Sequence, residues 1–280
     1  MKIDKILFVS DSNMTYLGFW NSISKYYKTR FGIDCKLFFI GEKNSENEKH
    51  LSEEYGEVEV VKPLSNIPII IQALWAKFWF TQTEPDTKWL IGDIDLYLLN
   101  KEYFDNIMYS IPDDGYGHIN GQSNWGEGSD LPGYFHCGSG KKFKEYMQLS
   151  DSFEEDCLYI LNSKKYGILY NGLVGGFWKN LESAPDRIKD KTDYGFICCE
   201  ENLSTERLFK FKDKIKAIPY PRNLKRLETE YATTGQQTPS DYNFSRIFSL
   251  ENKDTYIDFH SPRPYSLFGE RIEKIISNYV

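Results

Sequence analysis

The run IGDIDLYLL (91–99) sets Asp93 and Asp95 two residues apart inside an apolar stretch. Two carboxylates there repel each other and are costly to bury without a cation. A divalent ion relieves that cost. Oxygen donors suit Mn²⁺ or Mg²⁺, and such ions also hold diphosphates. In extended backbone the two side chains point to one side, and Gly92 lets backbone or ligand approach closely. The plainer reading is a pair of solvated aspartates that simply end a strand.

Other residues of chemical interest are scattered along the chain. VSDSNMTYLG (9–18) offers Ser10, Asp11, Asn13 and Tyr16 after an apolar run, with Asp11 and Ser12 also suited to capping the next helix. Lys77 interrupts an apolar helical pattern on the face of Ile70, Ala73 and Leu74, as a functional cation or a snorkelling one. Glu200 and Glu201 adjoin at the start of a helical pattern, where the helix dipole also favours acids. YNGLVGGFW (170–178) brings Asn171, Gly172, Gly175 and Gly176, small residues that admit a ligand to the backbone or form a bulge. HINGQSNWGEGSDLPGYFHCGSG (118–140) carries Trp125, Tyr134 and His136, either an acceptor loop with stacking aromatics or a surface excursion. DFHSPRPYSLFG (258–269) sets His260 three residues before Arg263.

The elements that must position these residues alternate. Strands are expected at 5–10, 35–41, 58–61 and 88–92, and helices at about 14–30 and from 65–68 to about 80. Segment 42–57 reads as a charged loop or exposed helix. Such alternation predicts a mostly parallel α/β sheet flanked by helices, with ligands outside the carboxyl ends of the strands. The second half is less regular. Strand-like stretches fall at 115–120, 132–137, 171–178 and 255–260, and helical ones at 141–149, 152–162, 202–211 and 266–279. With no repeat and no low-complexity linker, one domain is expected over 1–280.

Composition narrows the class. The chain has 280 residues, enough for a sizeable core. Its formal net charge is −7, from 34 Lys plus Arg against 41 Asp plus Glu, which disfavours a nucleic-acid partner. Aromatics reach 16%, a richness that suits clefts for sugars or bases and that an AT-rich genome also produces. Five cysteines without metal spacing suggest a reduced, intracellular protein. MKIDKILFVSDSN reads as a first strand, not a signal peptide. The longest apolar stretch, 67–80, falls short of the roughly 20 residues of a membrane span. The expected location is the cytoplasm, with a peripheral contact to the cytosolic face of a membrane left open.

Asp-x-Asp after a hydrophobic strand, about a hundred residues into an α/β start, resembles the GT-A fold glycosyltransferases, with their Rossmann-like sheet. VSDSNMTYLGFWNSISKYY (9–27) is similar to the opening of the retaining family that includes glycogenin and the lipopolysaccharide galactosyltransferases. That resemblance implies uracil contacts for Ser10, Asp11, Asn13 and Tyr16. DFHSPRPYSLFG is similar to the family's closing His-x-Gly-x-x-Lys-Pro-Trp pattern, although its Gly is absent and its Lys is Arg. It implies His260 as a third metal ligand beside Asp93 and Asp95, and Arg263 on the diphosphate, with Lys77 as a donor contact. YNGLVGGFW resembles the donor-sugar segment of the blood-group transferases. The Glu pair stands where that group has an acidic pair, which implies Glu201, or next Glu200, as catalytic.

The resemblance implies residues 1–100 as a nucleotide-binding half and 101–280 as an irregular acceptor-binding half. It implies a metal-dependent hexosyltransferase taking a UDP-sugar to a glycan or lipid-linked hydroxyl, with retention favoured over inversion. Three other readings are weighed. A nucleotidyltransferase would need a Gly-rich basic loop after the first strand. A phosphatase would use Asp11 as nucleophile, with Asp113 and Asp114 as its second acidic cluster. A non-catalytic carbohydrate-binding protein would account for the aromatics alone.

Overall fold

A computed structural model describes residues 1–119, 134–163, 199–219, 225–228 and 256–279. In chain order the first half forms β1 (Lys5–Asp11), α1 (Met14–Leu17), α2 (Trp20–Phe31), β2 (Asp34–Ile40), β3 (Gly56–Val61), α3 (Ile69–Trp79), β4 (Lys88–Ile91), β5 (Leu96–Leu98) and α4 (Lys101–Ser110). Then come β6 (Tyr116–Ile119), β7 (His136–Ser139), α5 (Gly140–Met147), α6 (Phe153–Ser163) and α7 (Cys199–Phe209). The last described elements are β8 (Lys216–Ile218), β9 (Lys225–Glu228), β10 (Tyr256–His260) and α8 (Tyr265–Ile276).

Among the described residues the main sheet has seven strands in the order β3-β2-β1-β4-β7-β6-β8. It is the mostly parallel α/β sheet that the alternation predicts: β3, β2, β1 and β4 run parallel, and only β7 runs against its neighbours β4 and β6. Successive β1 side chains leave opposite faces of the sheet. Ile6 and Phe8 join one core with Trp20, Tyr27 and Phe39, while Leu7 joins the other with Phe38, Trp75 and Trp89. Burial on both faces explains why these strands read as continuous apolar runs. Each fully buried aromatic contributes about 1.5–3 kcal/mol.

Several elements depart from expectation. The helix expected over 14–30 breaks between α1 and α2. There Gly18 brings the backbone close to Tyr265, and a Cβ in its place would lie 3.3 Å from Tyr265 Cβ. The strand expected at 132–137 starts later, at His136. Phe135 precedes it with φ of 56° and donates its N–H to the carbonyl of Ile91 at 2.7 Å. Fully buried Phe135 thus adopts a left-handed turn next to the end of β4. The strand expected at 255–260 forms as β10, but in a second sheet, β5-β10-β9, where one sheet was expected. In it β10 runs antiparallel to β5, which carries the chain's end back beside residues 96–98.

Candidate functional site

The chain leaves β1 towards β2 on one side, while β4 lies on the other, so the strand order reverses between β1 and β4. Ligands gather at the carboxyl ends of strands at such a switch point. A cavity of about 300 Å³ opens there. Its wall takes Val9, Ser10 and Asp11 from β1, Asn13 and Tyr16 from the turn and helix that follow, and Ile70, Ala73, Leu74 and Lys77 from one face of α3. Gly92, Asp93, Ile94 and Asp95 come from the end of β4, Glu200 and Glu201 from α7, and His260 and Arg263 from the end of β10. Every residue singled out in the sequence as a metal, nucleotide or catalytic candidate therefore lines one cavity, across some 250 positions of chain.

Local chemistry explains each placement. Asp11 Oδ1 accepts the Asn13 N–H at 2.9 Å, and Asn13 Oδ1 accepts the Thr15 N–H at 3.0 Å. Asn13, not Asp11 or Ser12, is thus the cap of α1. Burial pushes the Asp11 carboxyl up, with the backbone N–H groups of Asn13 and Asp11 opposing it. Residues 93–95 are not extended as expected. The Asp93 carbonyl accepts the Leu96 N–H at 3.0 Å, which closes a turn. Gly92 sits at that point because a Cβ there would meet the Phe8 ring at 3.1 Å.

The turn sends the two aspartates to different cations. Asp93 Oδ1 receives Lys77 Nζ at 3.0 Å, and the same ammonium lies 3.3 Å from Glu200 Oε1. Burial draws the Lys77 pKa down, but Asp93, Glu200 and Glu201 outweigh it and hold the ammonium charged. Burial raises the Glu200 pKa, Lys77 opposes this and Asp93 adds to it, for a net rise. Asp95 turns the other way. Its Oδ2 lies 3.1 Å from Arg263 Nε and 3.4 Å from His260 Nε2. Burial would raise the Asp95 carboxyl, yet Arg263 and His260 hold it well below the ordinary range. Arg263 also donates from Nη1 to the Tyr16 hydroxyl at 2.5 Å and stacks over its ring at 5.1 Å. The base-facing and diphosphate-facing candidates thus touch each other.

Sequence reasoning missed Ser261. Its N–H and its Oγ both donate to the Asp95 carbonyl, at 3.0 and 2.7 Å. The only sequence signal was its place after His260. Tyr134 and His136 stand apart from the cavity wall. His136 is fully buried, with its Nδ1 3.0 Å from the Tyr116 hydroxyl and its ring 4.2 Å from that of His118 across the β6–β7 pair. Burial makes it a core residue where an acceptor-facing one was expected. Trp125, Asn171, Gly172, Gly175 and Gly176 lie outside the described residues. Asp113, which the phosphatase reading needs beside Asp11, borders a separate groove and pairs with Lys88 at 3.0 Å.

Among the described residues, no three His, Cys, Asp or Glu side chains are gathered as a metal-holding group. The donor set nevertheless fits a divalent ion in chemistry. Asp95 Oδ2 is buried and carries only its ion-pair contacts to Arg263 and His260, and Asp93 shares the same wall. The cavity is also acidic, with five carboxylates against Lys77 and Arg263. Among the described residues no helix is long and apolar enough to cross a membrane.

No protein-family model and no curated sequence matches the chain. Its path is similar to that of several solved glycosyltransferases. The galactosyltransferase LgtC, crystallised with donor and acceptor sugar analogues, is 13% identical, with a TM-score of 0.48 over 99% of this chain and 96% of that one. GlyE of Streptococcus pneumoniae is 12% identical, with a TM-score of 0.43 over all of this chain and 60% of that one. Mouse xyloside xylosyltransferase 1 is 10% identical, with a TM-score of 0.40 over 93% and 98%.

Proposed function

We propose that this chain is a metal-dependent glycosyltransferase that moves a hexose from a UDP-sugar to a hydroxyl on a glycan or lipid-linked acceptor, with retention of anomeric configuration. One observation carries the reading: the candidates at the two ends and the middle of the sequence converge on a single cavity at the switch point of the sheet. Residues 1–100 form the nucleotide-binding half and 101–280 the acceptor-binding half of one domain.

Tyr16, with Val9, Ser10, Asp11 and Asn13, forms the base end of the cavity. Asp93, Asp95 and His260 hold Mn²⁺ or Mg²⁺. A divalent ion there supplies Lewis-acid neutralisation of the departing diphosphate. An acidic wall needs such a counter-charge before it admits a diphosphate. Arg263 provides a fork that bonds two phosphate oxygens. Lys77, fixed between Asp93 and Glu200, keeps a cation at the donor end without solvent reorganisation. Glu201, beside Glu200 in the cavity wall, is the acid we assign to the reacting centre.

Calorimetry with UDP tests the reading. UDP should bind the wild type only when Mn²⁺ is present, and Asp95→Ala should bind it weakly whether or not Mn²⁺ is added. An Asp95→Ala variant whose UDP binding kept the wild-type Mn²⁺ dependence would reject the metal assignment. A thermal-shift screen of nucleotide sugars then identifies the donor. A ligand at 100 times its Kd stabilises the folded state by about 2.7 kcal/mol. Release of UDP from that donor separates an enzyme from a binding module.

A further inference from the structure

Asp95 is almost wholly buried, and a buried carboxylate requires a positive neighbour. Arg263 is that neighbour, with Nε 3.1 Å from Asp95 Oδ2 and Nη1 bonded to the Tyr16 hydroxyl at 2.5 Å. We propose that Arg263 is a resident counter-ion occupying the charge that Asp95 would give a metal, so that the site takes a divalent ion together with a nucleotide diphosphate and takes the bare ion poorly. The inference rests on the metal–UDP reading and adds to it the form in which the ligand enters.

The argument is one of competing pairs. A guanidinium and a divalent ion both draw on the same carboxylate oxygen. The bare ion must displace Arg263, leaving that cation beside a second one at close range. A diphosphate changes the balance, because it offers the guanidinium an anion of matching fork geometry. Arg263 then turns to the phosphates, and Asp95 is released. Lys77 is the less mobile of the two cations. It is deeply buried and shared by Asp93 and Glu200, so moving it would strand Glu200. Arg263 is more exposed than Lys77, and its guanidinium lies against Tyr16 and Asp95 at the cavity wall.

The test measures Mn²⁺ binding with no nucleotide, by calorimetry and by the electron paramagnetic resonance signal of free Mn²⁺. Arg263→Gln should bind Mn²⁺ alone at least about tenfold more tightly than the wild type. Arg263→Lys, which keeps the charge, should stay near the wild type. With UDP added, the wild type should take up Mn²⁺ readily, while Arg263→Gln should bind UDP more weakly. Equal Mn²⁺ affinity in wild type and Arg263→Gln, with Mn²⁺–UDP binding intact, overturns the inference and leaves the glycosyltransferase reading standing. So does tightening in Arg263→Lys equal to that in Arg263→Gln. Failure of every form to take up Mn²⁺, with or without UDP, rejects the metal reading itself and the inference with it. Should Arg263→Gln not fold, Tyr16→Phe removes one tether of the guanidinium. It should tighten Mn²⁺ binding about threefold, and no change overturns the inference.

Discussion

Lys77 Nζ stands 3.3 Å from Glu200 Oε1, and the contact ties α3 to α7 across the cavity wall. Both side chains are about 95% buried, so neither charge has water as an alternative partner. Removing one partner of such a pair costs about 3–5 kcal/mol, because it strands the other. Lys77→Met should lower the free energy of urea unfolding by that order. Lys77→Met combined with Glu200→Gln should recover most of the loss, since no buried charge is left alone.

Glu200 also sets a pH dependence. Its pKa is raised in the fold by burial, against Lys77 and with Asp93. A raised carboxyl binds its proton more tightly in the folded state than in the unfolded one. Its contribution is full below the ordinary carboxylate range and is lost as pH rises through the raised value. Wild-type Tm should carry this loss on the alkaline side of that range. Glu200→Gln should flatten that part of the Tm–pH profile, and an unchanged profile would remove Glu200 as its source.

What the sequence made legible follows from local rules. β1 and β2 are apolar on both faces because both faces are covered, and Ile70, Ala73, Leu74 and Lys77 share a helix face by spacing alone. The aspartate pair stands out because two carboxylates after an apolar strand are costly without a cation, while His260, Arg263 and the Glu pair are named through the resemblance of their motifs to a known family. Their arrangement could not be read in this way. The turn at 93–95 is closed by Leu96, and Ser261 anchors the Asp95 carbonyl from 166 positions away. The positive φ of Phe135 depends on a bond to Ile91. These are tertiary contacts, and no window of neighbouring residues contains them.

A buried group behind the site bears on its geometry. Arg207 lies seven residues after Glu200, two turns along the same face of α7. It donates from Nη1 to the carbonyls of Met147 and Gln148 at 2.6 and 3.1 Å and lies 5.1 Å over the Trp75 ring. Asp156 pairs with it at 3.5 Å and accepts Trp75 Nε1 at 3.1 Å. The cluster joins α7 to α3, α5 and α6. Arg207→Met should destabilise the fold by about 3–5 kcal/mol by leaving Asp156 unpaired. Under conditions where the variant stays folded, UDP affinity should fall, as Glu200 loses its register against Lys77. Arg207→Lys should restore part of both. Full UDP affinity in folded Arg207→Met would show that α7 is positioned without this cluster.

Ser261 allows a finer separation of stability from binding. Its hydroxyl is buried and donates to the Asp95 carbonyl at 2.7 Å, while its own N–H bonds the same oxygen at 3.0 Å. Ser261→Ala removes one of these bonds and leaves the carbonyl satisfied by the other, so no buried polar group is stranded. The stability cost should be about 1 kcal/mol, the net worth of one hydrogen bond. The effect on Mn²⁺–UDP binding should be larger than that figure implies. Asp95 immediately precedes β5 and His260 ends β10, the two strands being joined here with His260 opposite Leu96, and the Ser261 tether sets the distance between the two proposed ligands. Chemical denaturation and UDP calorimetry on one variant compare the two quantities. A small loss of stability with no loss of Mn²⁺-dependent UDP affinity would mean that the β5–β10 register alone holds the ligands in place.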